Sequence, residues 1–88
     1  MSEPVSKPFV VGLWFTPKKF GLNQSIAMDL WGAGEEFESL GGSRYMWRCR
    51  VIAPSVTAAI ECAERRLEEI VDQEVKYTGV ESRSRDDN

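Results

Sequence analysis

Between residues 44 and 72 the hydrophobic period of this chain changes once, from two to about 3.6, and that change constrains the fold more than any other feature. From Arg44 to Ala53 the side chains alternate strictly. Tyr45, Trp47, Cys49, Val51 and Ala53 share one face, and Arg44, Met46, Arg48, Arg50 and Ile52 share the other. Such alternation is the mark of a strand with one face in a core. Pro54 ends it, and Ser55 offers an N-cap for a helix over residues 56–72. On a helical wheel Val56, Ala59, Ile60, Ala63, Leu67, Ile70 and Val71 form an apolar stripe. Glu61, Glu64, Glu68, Glu69 and Asp72 give an acidic surface, and Ala58 and Cys62 point away from the stripe. A strand feeding directly into an amphipathic helix predicts an α+β domain with that helix on one sheet face.

The flanking segments extend the prediction. Pro8 and Pro17 bracket a β-branched and aromatic run that reads as a strand over residues 9–16. Phe9, Val11, Leu13 and Phe15 line one side, and Val10 and Trp14 the other. A strand apolar on both faces is covered on both. Residues 25–31 alternate Ile26, Met28 and Leu30 against Ala27 and Asp29, which reads as a weaker strand with a single helical turn as its rival. Residues 35–42 read as an acidic loop, with a hairpin turning near Gly41. Residues 74–82 read as the last strand, where Gly79 marks a bulge or the strand's end. The expected architecture is a small antiparallel or mixed sheet of three or four strands with one amphipathic helix on one face, in the order β-β-β-α-β. Residues 1–7 read as a flexible N-terminal tail, residues 8–82 as the single domain, and residues 83–88 as a disordered polar tail.

The 88 residues suffice for one domain with a thin core. No apolar run approaches the ~20 residues of a membrane span, and the start of the chain lacks the pattern of a secretory signal. A cytoplasmic protein with no membrane partner is therefore expected. The chain contains no histidine, so the commonest general base and the commonest nitrogen ligand for metals are missing. Neither Gly32-Ala33-Gly34 nor Gly41-Gly42 has the spacing of a phosphate-binding loop. No catalytic residue, cofactor or metal site is indicated, and an enzyme is not expected. Cys49 faces inward and Cys62 outward, so a disulfide between them is not expected, and Cys49 reads as a small core hydrophobe. Glu35, Glu36 and Glu38 read as a solvated acidic loop.

One helix covers one sheet face. The other face then carries Val10, Trp14, Met46, Arg48, Arg50 and Ile52, a set rich in the residue types of protein interfaces. The expected function is that of a small binding protein acting through protein–protein contacts, with a homodimer as the simplest occupant of that face. The alternative for the face itself is that residues 32–43 fold back and cover it. The acidic helix surface is a second candidate contact. The size and the missing catalytic residues suit an accessory or inhibitory protein, such as one carried by a phage or other mobile element. Two other functional readings stand beside this one. Lys18, Lys19, Arg44, Arg48 and Arg50 beside Trp14 and Phe20 imitate a platform for nucleic acid, but 14 acidic against 11 basic residues weaken it. The other reading is a small-ligand domain in a dimer cleft.

Overall fold

The computed structural model describes residues 5–19 and 21–84, and all structural statements below concern these. The elements run β1 (Lys7–Pro17), α1 (Gln24–Ala33), β2 (Glu36–Gly41), β3 (Arg44–Ala53), α2 (Val56–Val71) and β4 (Val75–Ser84). The protein is thus α+β, with one four-stranded antiparallel sheet in the order β2-β3-β1-β4 and two helices. The order β-α-β-β-α-β on such a sheet is the ferredoxin-like, or split β-α-β, topology.

Two elements differ from the sequence expectation. Residues 24–33 are a helix. The Asn23 side-chain oxygen accepts the Ile26 backbone N–H at 2.8 Å, an N-cap that satisfies one of the helix's free donors. The alternation of Ile26, Met28 and Leu30 hid a second spacing, Leu22-Ile26-Leu30, which is the one that meets the core. Leu30 is fully buried, whereas Met28 and Trp31 are exposed. Residues 36–41 are an edge strand rather than an acidic loop. Only Phe37 of β2 packs against the core, so the segment shows almost no apolar pattern. It pairs with β3 from Glu36↔Arg48 to Gly41↔Arg44. The turn uses Gly41 and Gly42 at φ 96° and 61°, values at which a side chain is strained. The expected tails lie largely outside the described residues. At the domain's limits, β1 already begins at Lys7 and β4 runs on to Ser84.

One face of the sheet is a packed core. Val11, Leu13, Phe15, Trp47 and Cys49 meet Ala59, Ala63 and Leu67 of α2, and all are fully excluded from solvent. Each large apolar side chain buried this way contributes about 1.5–3 kcal/mol. Val56, placed on the stripe by its angle, is nearly half exposed at the start of α2. Ala58 and Cys62, read as pointing away, are instead partly buried in the same cluster as Leu22 and Ile26. A wheel drawn for one helix on one sheet cannot anticipate that α2 has a helical neighbour, and α1 packs beside it. Burial pushes the Cys49 thiol up to about 11, so this sulfur is an inert core group. Both cysteines are free.

The passage from α1 to β2 is fastened to β3. The Trp47 indole N–H donates to the Leu30 carbonyl at 2.8 Å in a buried hydrogen bond. The Glu35 N–H donates to the Arg48 carbonyl at 2.7 Å. Between them, Gly34 runs so close to β3 that a Cβ there would collide with the Trp47 ring and the Arg48 carbonyl. Glycine is required here by proximity, since its φ of −123° is open to any residue. No helix among the described residues is long and apolar enough to cross a membrane.

Candidate functional site

Because the sheet is antiparallel, residues opposite one another share a face, and the register therefore spells out the second face row by row. Gly12 lies opposite Arg48 on one side and Glu81 on the other, and Arg48 lies opposite Glu36. One row thus crosses all four strands as Glu36, Arg48, Gly12 and Glu81. The next row towards the start of β1 is Arg50, Val10 and Arg83. The next row the other way is Glu38, Met46, Trp14 and Gly79. Pro8 and Ile52 form the outermost row of the two central strands.

The middle row is an ion-pair ladder. The Arg48 guanidinium donates from Nε and Nη2 to Glu81 Oε1 at 3.1 and 2.7 Å, and from Nη1 to Glu36 Oε1 at 2.6 Å. To reach Glu81 on β4 it must lie flat across β1. Gly12 makes this possible, because a Cβ there would stand 3.3 Å from Arg48 Cγ and Nε and from Glu81 Cγ. The same guanidinium sits 5.8 Å from the Trp14 ring centroid, a cation–π arrangement. The bonds to Glu81 and then Glu36 raise the already high pKa of Arg48, so it stays charged. Beside the ladder, Arg50 pairs with Glu35 at 2.8 Å. Arg83 reaches Glu81 only at 3.7 Å, with 78% of its side chain exposed. A shallow, open groove of about 590 Å³ lies over this corner, lined by Val10, Glu35, Arg48, Glu81, Arg83 and Ser84.

The six residues expected on this face are brought together, but not as equals. Ile52 is 71% exposed and Arg50 is exposed; Val10, Trp14 and Arg48 are half-buried. Met46 is buried at 4% and is no contact surface, a correction that follows from its place between Glu38 and Trp14 in the same row. Residues 32–43 do not fold back over the face, since half of them build β2 at the edge of the same sheet. The acidic run Glu35, Glu36 and Glu38 is not a solvated loop. Glu35 and Glu36 supply partners for Arg50 and Arg48. Their role was hidden because the strand that carries them has no apolar pattern.

The acidic residues of the second candidate contact lie along α2 and at its C-cap. Glu61, Glu68, Glu69 and Asp72 are exposed and Glu64 is half-buried. Burial, then Glu68 and Glu61, raise the Glu64 carboxyl above its ordinary value. The Tyr77 hydroxyl donates to Glu68 Oε2 at 2.8 Å and lies 3.2 Å from the Glu64 carbonyl. Burial and the bond to Glu68 push its pKa up, so it remains a donor. Of the basic stripe, Arg48 is consumed by two carboxylates, and Lys18 reaches Glu74 at 3.3 Å. Phe20 lies outside the described residues. Compared with protein-family models, curated proteins and solved structures, the chain matches none of them.

Proposed function

We propose that this is a small, non-enzymatic, cytoplasmic binding protein that acts through protein–protein contacts on the open face of its sheet. The observation that carries this reading is Ile52. A large aliphatic side chain at 71% exposure stands beside half-buried Val10 on a face that neither helix covers. The neighbouring groups support it. Trp14 and Arg48 are held by a cation–π contact and three charge-assisted hydrogen bonds, so they meet a partner already ordered and lose little entropy on binding. An accessory or inhibitory role, as in a phage or mobile element, suits a protein whose surface is its working part. The groove beside Arg83 is open and lined mostly by charge, whereas small-molecule sites are enclosed and mostly apolar. That contrast favours a surface contact over a small ligand.

The test is affinity capture from a lysate of the source organism with the wild-type protein and the Ile52→Glu variant as parallel baits. The reading expects proteins that survive a high-salt wash on the wild type and are lost from the variant, since an apolar contact is little screened by salt. Equal recovery on both baits would sink it.

A further inference from the structure

We infer that the open face is occupied by a second copy of this chain, packed face to face about a two-fold axis that runs along the strands. This deepens the reading of the face as a protein contact and rests on it. The first argument is extent. The four strands, of 11, 6, 10 and 10 residues, at about 4.8 Å spacing and about 3.3 Å rise give the face a plan area of roughly 600 Å². Two such faces bury about 1,200 Å² together, the lower end of specific interfaces. The second argument is charge, and it also selects the axis. On this face the edge strand β2 carries Glu36 and Glu38, and the opposite edge strand β4 carries Lys76, Glu81 and Arg83, with Glu36 and Glu81 both drawn inward onto Arg48. An axis along the strands lays β2 of one copy over β4 of the other, so Glu38 of each copy falls beside Lys76 of the other, while Glu36 and Glu81 come to face each other with each still bonded to its own Arg48. An axis across the strands would set β2 on β2 and β4 on β4, like charge on like.

The central strands agree with this placement. The same axis lays β3 over the second copy's β1, which sets Ile52 near Pro8 of the other copy and Arg50 near its Val10. The ladder at the centre enters the interface with both of its carboxylates already hydrogen-bonded to Arg48. Burial is tolerated by charges that are paired and hydrogen-bonded. The contact is isologous and closes, unlike a contact between this face and the acidic side of α2, which would propagate into filaments.

The experiment is light scattering after size exclusion, on the full chain, over a wide range of concentration. The wild type is expected at twice the chain mass of 10.0 kDa. Ile52→Glu should weaken the dimer by about tenfold or more, because it sets an unpaired charge against Pro8 of the second copy, with an unchanged thermal transition at low concentration. Trp31→Glu, on the exposed side of α1, should leave the dimer intact. Glu38→Lys should weaken it, and Lys76→Glu in the same chain should restore it. A monomer throughout would overturn the inference, while a capture experiment dependent on Ile52 would still uphold the binding function. A dimer that survives Ile52→Glu but not Trp31→Glu would also overturn it, because the interface would then lie on the helices. A dimer weakened by Glu38→Lys and not restored by Lys76→Glu would overturn the axis.

Discussion

On the helix-covered face of this sheet Leu13, Trp47 and Leu67 are wholly excluded from water, and the indole of Trp47 is bonded to a backbone carbonyl. On the other face, one residue away along the same strands, the Arg48 guanidinium is bonded to the side chains of Glu81 and Glu36, and Ile52 is 71% exposed. The two faces share a backbone but differ in what their side chains rest against. The covered face rests on rings and backbone that have nowhere to go. The central row of the open face rests on charged side chains held by one another. The difference between them is a difference in compliance, and it separates the part of the molecule that holds the fold from the part free to meet a partner.

That comparison can be broken by experiment. The largest effect is expected at Trp47. Trp47→Ala removes a fully buried indole and its hydrogen bond and should cost about 3–5 kcal/mol in chemical denaturation, a large share of the stability of so small a domain. The same substitution at two glycines is the sharper test. Gly34→Ala drives a methyl into the Trp47 ring and a carbonyl and should cost about 3 kcal/mol, the upper end for overpacking. Gly12→Ala meets only Arg48 and Glu81 side chains. It should cost about 1 kcal/mol, with most of that loss abolished in a background where Arg48 is already Met. Equal costs at the two glycines would mean that the open face is as rigid as the core.

Two smaller effects lie on α2, one at its C-cap and one in its middle. Asp72 caps this helix in the left-handed conformation at φ 60°, which glycine adopts without strain. Asp72→Gly should raise the midpoint of unfolding by the equivalent of about 0.5–1 kcal/mol. Glu64 gives a pH signature. Its folded-state pKa is raised by burial and by Glu68 and Glu61, so the folded state holds a proton more tightly than the unfolded state. The contribution of this group to stability is therefore greatest in acid and falls as pH rises through the range just above the ordinary carboxylate value. Glu64→Gln should flatten that part of the stability–pH curve, as followed by thermal melts across the range. A variant curve parallel to the wild type would assign the titration elsewhere.

What could be read in the sequence follows the same division. The covered face was legible because burial writes a period into a chain. The alternation through Trp47, Cys49 and Val51 and the stripe through Ala59, Ala63 and Leu67 are direct records of it. The strand β1 was legible for the same reason. The helix α1 was not, because Ile26 and Leu30 satisfy both periods when Met28 lies between them; Asn23 as its cap was the deciding signal. The strand β2 left no period at all, since it is an edge with one core residue. With β2 unread, the ion-pair ladder could not be foreseen. Arg48 was placed on the correct face, but its partners Glu36 and Glu81 come from opposite edges of the sheet and are brought to it only by the pairing of strands.

The place of β1 between β3 and β4 also governs the order of events as the chain is made. Phe9 pairs with Val51 on one side and with Ser84 on the other. Until residues 75–84 have been synthesised, a strand apolar on both faces keeps one edge unpaired, the state most prone to adding strands from other chains. Closing the sheet joins segments distant in sequence, a slow step in folding. A nascent or truncated chain that stops after α2 should thus be an aggregating species, so the last strand acts as the molecule's release from that hazard.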